Sequence, residues 1–372
     1  MGNNSKKKKK SSKKARRQRN RIIIFAIEVV ILAVIGVVLW WVLKGTSKNK
    51  RVDLSAQDVK INDGVEDLYD QVAPGSKKGA SIADTYTQIA LFGVDSREGN
   101  LNSNTRTDTI IIASINNENN EIKLCSVYRD TYLNLSNDSY NKCNSAYANG
   151  GPEQAINMLN MNMDLNITKY VTVGFKGVVE TVDALGGVPI DVSDAEIHYL
   201  NDYQYCIAQD LGYGENYTKV VNSGMQTLNG LQACAYCRIR YTKGDDFKRA
   251  ERQRTVVTEM TEIARTANVS ELSSIATSAF ENVSTNFTLD DILGYVADAS
   301  KFKVVASDGF PFTDYRTTGT IGAKGSCVIP TDLTTNVTLL HDFLYGVKDY
   351  DPTDTVKECS EKIQSDTSAY LH

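Results

Sequence analysis

The longest predominantly apolar stretch of the chain, IIIFAIEVVILAVIGVVLWWVL, occupies residues 22–43, with Glu28 its one charge. At the helical rise its 22 residues cover about 33 Å, enough for a bilayer core of about 30 Å, so it predicts one transmembrane helix. Further on, the pattern changes to short apolar runs bounded by polar turns. QIALFGV (88–94), TIIIASI (109–115) and EIKLCSVY (121–128) predict three strands, and the polar segment 116–120 between the second and third predicts an antiparallel hairpin. A helical stripe follows at Val256, Val257, Met260, Ile263 and Ala264, on a helix expected to start near Asp246 as its cap. Strands alternating with helical patterns imply a mixed α/β domain.

Charge changes this picture by orienting it. Residues 1–21 carry eleven Lys or Arg and no acid, whereas residues 52–372 hold 26 basic and 44 acidic residues. The positive-inside rule then keeps the N-terminus in the cytoplasm and puts the following domain outside, with Trp40 and Trp41 at the outer interface. A cleaved secretory signal fits less well, because the apolar run is long and no small-x-small site follows it. The lysines at 6–10 abut the span and are read as contacting anionic membrane lipid, not nucleic acid. The expected organisation is a basic cytoplasmic tail (1–21), a span (22–43), an extracellular polar stem (44–86), a mixed α/β domain (87–348) and a polar tail (349–372).

The hairpin carries the candidate chemistry. Arg106 and Asp108 precede the second strand, Arg129 and Asp130 follow the third, and Asp95 ends the first, so all five are expected on one rim. Paired carboxylates suit a hard divalent cation, and planar guanidinium forks suit phosphate oxygens. Surface ion pairs are the plain alternative. On the later helix, stepping back along the apolar stripe reaches Gln253 and Arg249, two polar side chains directed along the core-facing side. The lone CxxC of Cys234 and Cys237 is read as small packing residues, not a zinc or redox site.

The set GVDSR (93–97), TRTDT (105–109), VYRDTY (127–132), NSAYANGG (144–151), VDALGGVPIDV (182–192) and LNGLQACAYCRIRY (228–241) with DFKRAERQR (246–254) resembles the LytR-CpsA-Psr signature in order and spacing. Tyr128 departs from it, standing where Pro often precedes the Arg-Asp pair. The resemblance implies a three-layer α-β-α sandwich around a central mixed, largely antiparallel sheet. It also implies a Mg²⁺-dependent phosphotransferase, which moves a glycopolymer from a polyprenyl pyrophosphate carrier onto peptidoglycan. Asp95 and Asp108 fall on the family's metal-linked positions, and Arg106, Arg129, Arg238, Arg240, Arg249 and Gln253 on its pyrophosphate-binding positions. Asp95, Asp108 and Asp130 are the candidate bases, since His198, His341 and His372 lie outside the motifs. A hydrolase that passes the glycan phosphate to water, and a membrane-bound regulator that binds such lipids without turnover, are the competing readings.

Overall fold

A computed structural model of the chain describes residues 58–96, 101–102, 104–242, 244–280 and 282–371. The basic tail and the apolar run at 22–43 lie outside the described residues. Among those described, no helix is long and apolar enough to cross a membrane.

Two short helices, α1 (Val65–Tyr69) and α2 (Ile82–Thr85), lead into β1 (Tyr86–Val94), β2 (Thr107–Asn116) and β3 (Glu121–Val127). A small hairpin of β4 (Tyr132–Asn134) and β5 (Tyr140–Lys142) precedes α3 (Asn144–Met163), β6 (Lys169–Val173) and α4 (Phe175–Ala184). Then come β7 (Val188–Val192), α5 (Asp194–Asp210), β8 (Gly224–Leu228), α6 (Gly230–Tyr236), α7 (Asp245–Thr266) and α8 (Val269–Phe280). The last part runs β9 (Val283–Thr285), α9 (Leu289–Asp298), β10 (Lys303–Phe310), β11 (Arg316–Thr320), β12 (Ser326–Pro330), α10 (Leu333–Tyr345) and α11 (Asp354–Thr367).

The main sheet has the order β10-β3-β2-β1-β6-β9. β1–β2, β2–β3 and β6–β9 pair antiparallel, while β1–β6 and β10–β3 pair parallel, so the sheet is mixed with the antiparallel hairpins at its centre. The Asn-rich turn closes β2 onto β3: Asn116 Oδ1 accepts from the amides of Glu118 and Asn119, and Asn120 takes a left-handed φ of 60°.

Alternation across the pleat gives each face its own core. Ala90, Phe92, Ile110, Ile112, Cys125 and Val127 pack with Tyr147 and Leu159 of α3, Val337 and Leu340 of α10, and Val356 and Ile363 of α11. On the opposite face Ile89, Ile111, Ala113, Ile115 and Leu124 meet Val257 of α7 and Ile292 and Tyr295 of α9. Burial on both faces explains why TIIIASI reads as a continuous apolar run. Helices on both sides of one sheet make three layers. Beside them, α4, the antiparallel β7–β8 pair, α5 and α6 enclose a further core that Val256 of α7 joins.

Parts of the expected polar stem and of the expected polar tail pack into the domain. From Asp58 onward the stem is built into the domain, with Val65, Leu68, Tyr69 and Ile82 buried in the first core. The expected polar tail forms α11, which buries Val356, Cys359 and Ile363 there. All seven cysteines are free thiols.

Candidate active site

The β1–β2 register explains how the carboxylates reach one rim. Gly93 pairs with Thr109 but Val94 pairs with Thr107, so Asp108 is the extra residue of a β-bulge. A bulge breaks the in-out alternation and re-aims a side chain, here at the end of the pairing next to Asp95. Gly93 permits this close crossing, since a Cβ there would stand 2.9 Å from Thr109 Cβ. Thr105 Oγ1 donates to the Asp95 carbonyl at 3.0 Å, tying the two strand ends together.

The turn after β3 brings Arg129 into the same place. Its Nη1 donates to Asp108 Oδ1, and its carbonyl accepts from Asn144 N at 3.1 Å. Asp246, in the first turn of α7, is the hub of the opposite side. Its carboxylate lies 3.4 Å from Arg129 Nε, 3.4 Å from Arg240 Nε and 3.1 Å from Arg249 Nη2. Asp246 was expected as the cap of this helix. Instead Gly244, at φ 101°, occupies the cap position in left-handed backbone, which leaves the Asp246 side chain available to the arginines. Sequence reading missed this role. The usable signal was the three-residue spacing to Arg249, which puts both on one side of the first turn.

Arg238 and Arg240 leave the C-terminal end of α6 on either side of Ile239, which is fully buried. The loop is held from behind by Arg252, 2 % exposed, whose Nη1 donates to the Ile239 carbonyl and whose Nε donates to Glu196 at 2.7 Å. Arg238 lies 3.7 Å from Asp95 Oδ2, with its guanidinium over the rings of Phe175 and Tyr203 at 4.4 and 5.3 Å. The stripe on α7 behaves as its spacing predicts at the polar end, since Arg249, Gln253, Val256, Val257 and Met260 all face the cavity. Its apolar end is only half-buried at Val257, Met260, Ile263 and Ala264. Val257 and Met260 are so because they form cavity wall.

One cavity of about 910 Å³ collects the site. It is lined by Asp95, Arg106, Asp108, Arg129, Asp130, Arg238, Arg240, Arg249 and Gln253, every candidate residue read from the sequence. Arg106 is the exposed member of the set. Another part of the lining is apolar, at Leu91, Ile111, Val171, Val257, Met260 and Val283. Lys142 adds a further cation, 3.4 Å from Asp130. Cys234 and Cys237 pack as expected but also border the cavity, and burial pushes the Cys234 thiol up to about 12, so it stays protonated.

Electrostatically the site is rich in buried cations. Burial works against the Arg129 charge, but Asp108, Asp246 and Asp130 outweigh it and hold the guanidinium above its ordinary range. For Arg249, 4 % exposed, burial is the larger effect and, with Arg129 beside it, pulls it below that range. Buried donors at Arg238 Nη1, Arg240 Nη2 and Arg249 Nε have no hydrogen-bond partner. Such donors are costly unless an anion accepts from them. Among the described residues no group of three or more acidic, His or Cys side chains gathers around one point. Asp95 and Asp108 offer hard oxygen donors of the kind Mg²⁺ takes but too few for a closed protein cage, so an ion held there would need substrate phosphates to complete its shell.

Tyr128 and Phe247, the neighbours of Arg129 and Asp246, stack edge to face at 4.7 Å. Arg316 of β11 covers both, 4.7 and 4.0 Å from the ring centroids, and donates from Nη1 to Tyr128 Oη at 2.8 Å and to the Pro311 carbonyl at 2.9 Å.

Comparison with known proteins agrees with this architecture. A model of the LytR_cpsA_psr family matches residues 46–326. The chain is 27% identical over 305 residues to Biofilm regulatory protein A of Streptococcus mutans, covering 73% of this chain and 72% of that protein. It is 27% identical over 264 residues to the polyisoprenyl-teichoic acid--peptidoglycan teichoic acid transferase TagU of Enterococcus faecalis, covering 70% of this chain and 81% of that one. The crystal structure of TagV from Bacillus subtilis superposes with a TM-score of 0.54 at 26% identity, over 72% of this chain and 99% of that one.

Proposed function

The chain belongs to the LytR-CpsA-Psr family, and from that premise we propose that it moves a glycopolymer phosphate from a polyprenyl pyrophosphate carrier onto a peptidoglycan sugar hydroxyl. The observation that carries this reading is the cavity itself, which joins buried guanidinium donors without partners to an apolar wall. A ligand that satisfies both ends has a polyanionic head and a long hydrocarbon tail. A relative named for transfer of polyisoprenyl-linked teichoic acid to peptidoglycan supports the same chemistry.

In the proposed reaction the acceptor hydroxyl oxygen bonds to the glycan-side phosphorus. The bond from that phosphorus to the bridging oxygen breaks, and polyprenyl phosphate leaves with the electron pair. The hydroxyl proton goes to one of Asp95, Asp108 or Asp130. Arg129, Arg238, Arg240 and Arg249 orient the pyrophosphate and offset its charge, which is most of what phosphoryl transfer asks of a protein. Gln253 adds a neutral donor. Asp95 and Asp108 would hold Mg²⁺, whose charge when bound further offsets that of the pyrophosphate. Asp95→Ala and Asp108→Ala are expected to lose transfer while keeping the circular-dichroism spectrum of the wild type. Equal wild-type turnover with and without a chelator would remove the metal from this scheme. The charge asymmetry around 22–43 supports a single span with the catalytic domain outside the cell.

The deciding experiment compares two lipids with the same tail, one headed by pyrophosphate and one neutral. Arg249→Ala and Gln253→Ala are expected to weaken the first by about tenfold or more, the scale of lost charged or polar contacts to phosphate, and leave the second unchanged. Equal losses for both lipids, or none, would sink the assignment.

A further inference from the structure

Tyr203 lines the cavity and begins a strip of aromatic side chains that the phosphate chemistry leaves unused. On its inner side the ring meets Arg238. Burial pushes the Tyr203 phenol up, and Tyr241, Arg238, Arg249 and Asp108 all act on it, so both Tyr241 and the guanidinium cluster are within electrostatic reach of the ring. Tyr199, one turn earlier on α5 and on the same side as Tyr203, has its ring 5.9 Å from that of Tyr241 at an interplanar angle of 42°. Tyr241 is 70 % exposed. Three phenol rings thus lead from the arginines out to solvent.

Aromatic rings grouped from a cavity wall out to solvent mark a contact surface, and tyrosine offers a flat apolar face with a hydroxyl at its edge. A pyranose ring is the complementary shape, with C–H bonds on one face and hydroxyls around the rim. Direction selects which sugar. If the carrier chain lies along the apolar wall, the leaving group is on that side, and in-line displacement brings the attacking oxygen from the side opposite to it, beyond the arginines. We infer that Tyr203, Tyr241 and Tyr199 form the acceptor subsite, a platform that seats sugar rings of the wall glycan strand. The inference rests on the transferase reading above and deepens it.

The test uses the full-length protein in detergent and three separate ligands. These are a soluble oligosaccharide of alternating N-acetylglucosamine and N-acetylmuramic acid, a pyrophosphate-headed lipid without glycan, and the same lipid bearing a glycan. Tyr241→Ala and Tyr199→Ala are expected to weaken the oligosaccharide by roughly fivefold to tenfold, the scale of one aromatic face contact. Tyr241→Phe and Tyr241→Trp are expected to bind it as the wild type does, and all variants to bind the bare pyrophosphate lipid equally. Unchanged oligosaccharide affinity in both Ala variants overturns the subsite. So does a loss confined to the glycan-bearing lipid, which would place the donor's own sugar on the strip. A wild type that fails to bind the pyrophosphate lipid removes the transferase reading, and with it the acceptor role, even where Tyr241 still governs oligosaccharide binding.

Discussion

Neutralising Asp246 separates two things a carboxylate can do among arginines. It lowers their mutual repulsion and it sets their geometry, because Arg129, Arg240 and Arg249 each approach it within 3.4 Å. Asp246→Asn keeps the shape and removes the charge. A polyanion should then be attracted at least as strongly as before, while the guanidinium groups lose their common reference point. The expected result is a kcat lower by about tenfold to a hundredfold, as for a disturbed charge-stabilising group, with Kd for a pyrophosphate-headed lipid unchanged or tighter. Equal losses in kcat and affinity would make Asp246 an ordinary structural residue. Its role was hard to read in the sequence because an acid in the first turn of a helix already has a sufficient explanation in the helix dipole. Asp95, Asp108 and Arg129 were legible because strand ends in a hairpin have a definite partner. The bulge that turns Asp108 was not, since a one-residue slip leaves no mark in an apolar run.

At the level of elements, β1, β2 and β3 were legible for a physical reason: strands buried on both faces must be apolar throughout, and polar turns cut them cleanly. α1 and the segment around it were not. Val65, Leu68 and Tyr69 occupy a five-residue helix, too short for a period to stand out against its polar surroundings. β11 shows how an element outside the motifs supports them. Arg316 lies over Phe247 and Tyr128, and so braces the chain beside Asp246 and the chain beside Arg129 together. Arg316→Gln should cost about 1–3 kcal/mol of stability in denaturant titration, from a part-buried cation–π contact and a hydrogen bond. Tyr128→Phe removes only the hydrogen bond and should cost less. If the two variants are equally destabilised, the stacking contributes nothing.

For the molecule as a whole, acid stability depends on a histidine far from the chemistry. His341 is fully buried, donates from Nε2 to the Met163 carbonyl at 2.9 Å, and stacks on Tyr350 at 4.1 Å. Burial pulls it down from 6.5 to about 4. The unfolded chain therefore takes up this proton first as the pH falls. The contribution to stability is complete above pH 6.5, declines between 6.5 and 4, and is constant below. It amounts to roughly 3 kcal/mol. His341→Asn, which does not titrate there, should show a flatter dependence of unfolding free energy across that window, whatever its absolute stability. A slope equal to that of the wild type would assign the acid sensitivity to other groups.

The first described residues enter the domain by hydrogen bonds to α3 and the turn after it. Lys60 N donates to Asn157 Oδ1 at 2.7 Å, Asn157 Nδ2 donates to the Asp58 carbonyl at 3.2 Å, and Asn62 Nδ2 donates to Asp164 Oδ1 at 2.7 Å. Asp164 also accepts from Thr353 N at 2.8 Å, so the beginning and the end of the domain meet at one carboxylate. α3 covers one face of the sheet, and α7, with Arg249 and Gln253, covers the other. A pull on the chain ahead of residue 58 is therefore borne by the anchorage on the far side of the sheet. Tension applied there would load α3 and the Asp164 knot first, and would reach the site through Asn144, which opens α3 and donates to the Arg129 carbonyl.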